Sequence, residues 1–97
     1  MSSISALASS ADVVVFQSAG CPYCVQAISN LQGAGYKPTV IEASSAQRQE
    51  LLAANKTRSV PQIYVKGKYV GGCNDGPEAW MGINKILKNG KMAELLA

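Results

Sequence analysis

An apolar run followed, after four residues, by a Cys-x-x-Cys motif constrains this sequence most. Residues 13–16 (Val-Val-Val-Phe) are β-branched or aromatic without alternation, which is typical of a strand buried on both faces. After Cys21, Pro22 suits the first position of a helix because its missing N–H would be unpaired there anyway. The chain therefore predicts a central strand and a helix that opens at the cysteines. Helical spacing of apolar residues continues through Val25, Ala27, Ile28 and Leu31 until Gly33 and Gly35.

The remaining elements follow from similar patterns. Residues 38–43 predict a second strand, and Ser44 or Ser45 can cap a helix that carries Leu51, Leu52 and Ala54. Residues 62–66 alternate as in a strand, and Gly67 provides the turn to a return strand at residues 69–71. Residues 77–87 predict a helix because Trp80, Ile83, Ile86 and Leu87 share one face, and residues 92–96 can add a last turn.

The order of elements predicts an α/β fold, (α)βαβαββα, with residues 1–97 as a single domain. The 97 residues suffice for one compact domain, and the 47% hydrophobic content argues against disorder. Residues 1–11 form either an N-terminal helix or a loose tail. They contain no Lys or Arg and no long apolar run, so we expect neither a signal nor a transit peptide. No stretch approaches the roughly 20 apolar residues of a membrane span.

The charge and the cysteine content limit the partners and the cellular compartment that we expect. The net charge is +3, and the basic residues are scattered rather than clustered, which disfavours a nucleic-acid partner. Three cysteines are too few, and of the wrong parity, for the disulfide framework of a small secreted domain. We therefore expect a cytoplasmic protein with no membrane or nucleic-acid partner.

Cys21 and Cys24 are the candidate catalytic residues. A Cys-x-x-Cys motif in a βαβ pattern is typical of redox proteins. Placing Cys21 just before a helix aims free backbone N–H groups and the positive end of the helix dipole at its sulfur, which favours the thiolate. Cys24 lies on the same helix face, close enough for a reversible disulfide. A closed zinc site is disfavoured, because the chain has no His and one further cysteine, Cys73.

Three motifs in register resemble a dithiol glutaredoxin of the thioredoxin superfamily. Residues 21–24 are Cys-Pro-Tyr-Cys, residues 59–61 are Ser-Val-Pro where that family has Thr-Val-Pro, and residues 71–75 are Gly-Gly-Cys-Asn-Asp. The order of motifs and strands agrees over residues 12–87. The resemblance implies a four-stranded mixed sheet flanked by helices, with the cysteines at the edge of a glutathione groove. It also implies a monomeric enzyme with glutathione as co-substrate and no tightly bound cofactor.

The same resemblance assigns roles to individual residues. Cys21 would be the nucleophile that takes the glutathionyl group, and Cys24 the resolving thiol for protein disulfides. Val60, before a cis-Pro61, would offer its backbone to the cysteinyl part of glutathione. The remaining expected contacts are Tyr23, which shapes the groove; Asn74 and Asp75, at a helix start beside the γ-glutamyl end; Arg58, facing the glycine carboxylate; and Arg48, adding a polar contact.

One position departs from the family pattern. Family members usually carry Lys three residues before the first cysteine, and here that residue is Ser18. The helix N-terminus is then the main device that lowers the pKa of Cys21. We expect a pKa below that of free cysteine but less depressed than is usual in the family.

Two further hypotheses are compatible with the motifs. The chain could carry a [2Fe–2S] cluster between two subunits through Cys21 and glutathione, although cluster-holding relatives tend to have Gly or Ser where this chain has Pro22. It could also be a thioredoxin served by a reductase protein, but thioredoxins typically carry Trp-Cys-Gly-Pro-Cys. The partners would be glutathione or a related low-molecular-weight thiol, and glutathionylated or disulfide-containing proteins. The sequence does not identify the physiological disulfide.

Overall fold

The computed structural model describes residues 4–97, and the first three residues of the expected N-terminal segment lie outside that range. None of the described helices is long and apolar enough to cross a membrane. The elements are α1 (Ile4–Ala8), β1 (Val13–Gln17), α2 (Pro22–Gly33), β2 (Thr39–Glu42), α3 (Ser45–Asn55), β3 (Gln62–Val65), β4 (Lys68–Gly71), α4 (Ile83–Asn89) and α5 (Met92–Leu96).

The four strands form one mixed sheet in the order β2-β1-β3-β4. Strand β1 runs parallel to β2, with Phe16 opposite Ile41, and antiparallel to β3, with Val15 opposite Ile63. Strands β3 and β4 form an antiparallel hairpin. The parallel pair needs a crossover, which α2 provides. The predicted α/β class and the four-stranded mixed sheet with flanking helices are confirmed.

Strand β1 separates two apolar cores, as its continuous apolar run predicts. Val13 and Val15 belong to the core under α2 and α4, whereas Val14 and Phe16 belong to the core under α1 and α3. All four are at most 3% exposed. Because both faces are covered by helices, the loop after β1 is held on a rigid strand at the sheet end where the cysteines lie.

Helix α3 begins as the serine pattern predicts, with Ser44 as the N-cap. The Ser44 hydroxyl accepts the N–H of Gln47, and the Gln47 side chain accepts the N–H of Ser44. This reciprocal pair satisfies backbone donors that the first helical turn would otherwise leave unpaired.

The predicted helix over residues 77–87 is wrong at its start, because α4 begins at Ile83. Gly82 interrupts it with φ +110°, a conformation that side-chain-bearing residues rarely adopt. A Cβ at Gly82 would lie 2.6 Å from the backbone nitrogen of Asp75. The segment before α4 therefore folds back onto the Gly-Gly-Cys-Asn-Asp motif instead of continuing the helix.

Candidate active site

The two motif cysteines form a disulfide at the start of α2, with their Cα atoms 5.2 Å apart. Cys21 is the N-cap of the helix, and its Sγ accepts the backbone N–H of Cys24 at 3.1 Å. Cys21 is half-buried, while the Cys24 side chain is completely buried. A substrate sulfur can therefore approach Cys21 but not Cys24.

The loop before β3 lies against the first cysteine. The Val60–Pro61 peptide bond is cis, which confirms the sequence expectation. The carbonyl oxygen of Val60 lies 3.7 Å from Cys21 Sγ. The backbone of Val60 is thus placed beside the Cys21 sulfur.

A buried glutamine holds this loop in place. Gln62, at 1% exposure, donates from Nε2 to the carbonyl oxygens of Thr57 at 2.8 Å and Ser59 at 3.0 Å. Its Oε1 accepts from Asn55 Nδ2 at 2.9 Å, and the same nitrogen donates to the Tyr64 hydroxyl at 2.8 Å. Because every polar atom of Gln62 is paired, residues 57–61 are fixed to the sheet and to the end of α3.

The Gly-Gly-Cys-Asn-Asp motif forms a tight loop. Gly71 has φ +99°, and the N–H of Gly72 donates to the carbonyl oxygen of Asp75 at 2.8 Å. The first N–H groups of α4 donate to this loop, Ile83 to Gly72 O and Asn84 to Cys73 O, both at 2.9 Å.

The expectation that Asn74 and Asp75 stand at a helix start is therefore wrong. Helix α4 begins at Ile83, and its first two N–H groups, those of Ile83 and Asn84, donate to loop carbonyls. They are not available to a ligand carboxylate.

One cavity of about 320 Å³ collects most of the predicted binding residues. Tyr23 is 58% exposed at its mouth. The lining residues are Tyr23, Ser59, Val60, Pro61, Gly72, Cys73, Asn74 and Asp75. Ser59, Gly72 and Cys73 were not among the predicted site residues, although all three lie within the motifs that carry the family resemblance.

The two predicted arginines lie elsewhere. Arg48 and Arg58 line a second cavity, of about 270 Å³, together with Ser45 and Gln49. Arg48 Nη2 donates to the carbonyl oxygen of Arg58 at 3.2 Å. Arg58 directly precedes Ser59, which lines the first cavity.

Cys73 is a third thiol, facing the first cavity. It is 4% exposed, and its Sγ–H donates to Gln26 Oε1 at 3.1 Å. Burial raises the pKa of the Cys73 thiol, and the hydrogen bond from Asn84 lowers that pKa in part. Cys73 is therefore a protonated, weakly nucleophilic thiol at neutral pH. Within residues 4–97, no group of three or more His, Cys, Asp or Glu side chains is placed to hold a metal ion.

We expect stability to fall at alkaline pH. Burial raises the pKa of Cys73 above its ordinary value of 9.0, and it raises the pKa values of Tyr64 and Tyr69 above 10.0. The negative charges of Tyr64 and Asp75 raise the pKa of Tyr69 further. The folded chain then holds protons that the unfolded chain has lost. Its stability is complete below about pH 9 and declines as pH rises through the folded-state pKa values. Urea midpoints should be equal at pH 7 and 8 and lower at pH 10.

Tyr69→Phe is the control for this pH effect. It removes one of the three titrating groups and should flatten the alkaline decline in the urea midpoint. A midpoint that rises between pH 8 and 10 would contradict the assignment.

Comparisons with known proteins agree with this geometry. The sequence model of the glutaredoxin family matches residues 13–70. Glutaredoxin 3 of Escherichia coli is 29% identical over 82 residues, covering 80% of this chain and 99% of that protein. Glutaredoxin-C2 of Arabidopsis thaliana is 34% identical over 95 residues, covering 93% of this chain and 79% of the relative.

A solved structure shares both the fold and the length. The solution structure of the dithiolic glutaredoxin from Trypanosoma brucei brucei superposes with a TM-score of 0.81 and 33% identity, over 100% of this chain and 98% of that one. The family match runs from the first residue of β1 into β4 and thus spans all four strands. The chain therefore belongs to the glutaredoxin family of thiol–disulfide oxidoreductases.

Proposed function

We propose that the protein is a glutathione-dependent thiol–disulfide oxidoreductase that reduces glutathione mixed disulfides and protein disulfides. The observation that carries the proposal is the position of Cys21. Its sulfur is accessible, caps α2, and lies 3.7 Å from the Val60 carbonyl of a loop that lines a cavity.

The same position supports a reactive thiolate once the disulfide is reduced. The N–H of Cys24 already points at Cys21 Sγ, and the start of α2 directs its dipole there. Ser18 stands where relatives carry Lys, so these backbone groups supply the stabilisation of the anion. A pKa of Cys21 at or above the free-thiol value of roughly 8.5, measured by thiolate absorbance, would contradict this.

Reduction of a glutathione mixed disulfide proceeds in two exchanges. The Cys21 thiolate attacks the glutathione sulfur, a bond forms between Cys21 and that sulfur, and the substrate leaves as a thiolate that takes up a proton. A glutathione thiolate then attacks the glutathionyl sulfur on Cys21. Oxidised glutathione leaves, and Cys21 returns as a thiolate, so two electrons pass from glutathione to the substrate.

Protein disulfides require the second cysteine. Cys21 attacks one substrate sulfur, and Cys24 then attacks Cys21 in the mixed disulfide, which releases the reduced substrate and leaves the Cys21–Cys24 disulfide. The Cα separation of 5.2 Å suits that bond. Two glutathione molecules restore the dithiol.

Glutathione would lie in the first cavity. The backbone of Val60 would pair with the cysteinyl unit beside Tyr23 and Pro61, and Asp75 would face the γ-glutamyl ammonium. Because the α4 donors are occupied, the N–H groups of Asn74 and Asp75 would face the γ-glutamyl carboxylate instead of a helix terminus.

The arginine cavity would take the other end of glutathione. The chain links the two cavities, because Arg58 directly precedes Ser59, a lining residue of the first cavity. Arg58 and Arg48 would hold the glycine carboxylate, since both line this second cavity.

A reducing, cytoplasmic location and a monomeric state form part of the proposal. The partners would be glutathione, or a related small thiol, and proteins carrying glutathionyl groups or disulfides. A reducing compartment keeps the dithiol able to cycle, and the odd cysteine count fits such a compartment.

A coupled assay tests the proposal. Glutathione, glutathione reductase and NADPH should support turnover of a small glutathione mixed disulfide, with a rate that depends on the glutathione concentration. Reduction by a thioredoxin reductase with no response to glutathione would replace the proposal with a thioredoxin-like function. A coloured, iron-containing dimer that lacks disulfide turnover after anaerobic reconstitution would replace it with cluster carriage.

A further inference from the structure

A network of side-chain hydrogen bonds joins the Gly-Gly-Cys-Asn-Asp loop, residues 71–75, to α2, the helix that begins at the motif cysteines. Gln26 and Asn30 lie on α2, Asn84 lies in the first turn of α4, and Cys73 and Asn74 lie in the loop. These five residues, here called the amide network, are far apart in sequence, up to 58 positions. Their contacts therefore reflect tertiary structure and not local turn formation.

Asn84 is the centre of the amide network. Its Oδ1 accepts from Asn30 Nδ2 at 2.7 Å, and its Nδ2 donates to Asn74 Oδ1 at 2.8 Å. The same Nδ2 lies 3.4 Å from Cys73 Sγ and 3.5 Å from Gln26 Oε1. One amide carries both an acceptor and donors, so a single side chain can tie the loop to α2.

Backbone contacts make this link stiff. The N–H of Asn84 donates to the carbonyl oxygen of Cys73 at 2.9 Å, so Asn84 contacts the loop through main chain and side chain together. Gly82, two residues earlier, packs directly on the Asn74–Asp75 peptide. A shift of the Asn84 side chain would therefore move the two residues that line one end of the cavity.

We propose that Asn84 is a positioning residue that fixes Asn74 and Asp75 relative to α2 and thereby sets the selectivity for a γ-glutamyl group. This inference rests on the proposed function, because it assigns that group to the Asn74–Asp75 end of the cavity. Asn84 itself contacts the loop, and it acts on substrate through Asn74. The distance between the loop and Cys21 is then set through α2, the helix that Cys21 caps.

The substitution Asn84→Leu tests this role. Leucine is close in size to asparagine but has neither donor nor acceptor, so it removes the bonds to Asn30 and Asn74, and rotation of the Asn74 amide cannot restore them. Leucine is a better helix former than asparagine, and water can pair with the exposed Asn30 and Asn74 amides, so folding stability should change little. We expect KM for a glutathione mixed disulfide to rise about tenfold, with kcat within about twofold of the parent.

A second substrate makes the comparison specific. A cysteamine mixed disulfide has no γ-glutamyl group, so its kcat/KM should be unchanged in Asn84→Leu. Lys88→Ala is the matched control, because Lys88 is exposed on the same helix and outside the amide network; it should behave as the parent. An unchanged KM, or equal losses on both substrates, would overturn the inference.

Hydrogen exchange keeps the test independent of the proposed function. The amides of Gly72 and Ile83 donate to Asp75 O and Gly72 O and so report on the loop. They should exchange faster in Asn84→Leu than in the parent; equal protection would overturn the positioning role. If the parent itself shows no preference for the glutathione substrate, the proposed function and the selectivity fail, while exchange still decides whether Asn84 positions the loop.

Discussion

Replacing Cys21 with serine is expected to reduce turnover of a glutathione mixed disulfide by at least about 1,000-fold, as for loss of other enzymatic nucleophiles. In the proposed mechanism the Cys21 thiolate is the attacking group, and a serine hydroxyl does not ionise near neutral pH. Cys24 cannot substitute for Cys21, because its side chain is fully buried beneath the helix start. The coupled assay measures the loss directly.

Cys24→Ser is the matched control, because it makes the same atomic change and also removes the disulfide. It should keep most of the activity on the small mixed disulfide and lose reduction of protein disulfides, which need a resolving thiol. After exposure to oxidised glutathione it should gain the mass of one glutathionyl group, whereas Cys21→Ser should gain none because its two remaining thiols, Cys24 and Cys73, are buried. Equal activity of the two variants would remove Cys21 from its assigned role.

Patterns between neighbouring residues predicted most of the fold. The unbroken apolar run gave β1 its central place, and Pro22 marked the start of α2. Serine capping located α3 correctly. In each case the residues that decide the element lie within one turn or one strand of each other, so a local pattern contains the necessary information.

The start of α4 was mispredicted because tertiary contacts override its periodicity. Trp80 has helical spacing with Ile83, but its ring lies near Lys68 and Lys91, whose Nζ atoms are 5.3 and 5.0 Å from its centroid. Lys68 belongs to β4 and Lys91 precedes α5, so both are too distant in sequence from Trp80 for a local pattern to reveal the contact. Gly82 lies inside the apolar pattern, and a glycine at such a position makes an uninterrupted helix less favourable.

The residues of the site fall into the same two groups: those that local motifs predict, and those whose role depends on partners distant in sequence. Motif resemblance predicted Tyr23, Val60, Pro61, Asn74 and Asp75, and these residues do line one cavity. The side chains that hold the cavity loops, Gln62 and Asn84, were missed. A polar residue inside a strand or a helix looks like a surface residue until its partners, distant in sequence, are known.

Gln62→Leu tests whether that hidden support matters for binding. Leucine fills similar space but cannot donate to the carbonyls of Thr57 and Ser59 or accept from Asn55. Unpaired buried polar groups cost about 1–3 kcal/mol each, and water can reach the exposed Ser59, so we expect a loss of about 2–3 kcal/mol in unfolding free energy. Urea denaturation measures this loss.

Binding should weaken in Gln62→Leu beyond what lower stability explains. Val60 is held beside Cys21 by the residues that Gln62 anchors, so a looser loop should raise KM for the glutathione substrate about tenfold. Leu31→Ala provides the comparison: Leu31 is fully buried on α2, in the core under α2 and α4, and its replacement should cost about 2–5 kcal/mol in unfolding free energy with KM unchanged in the folded protein. If both variants raise KM equally, general destabilisation accounts for the effect. If only Gln62→Leu does, the buried amide determines the geometry of the groove.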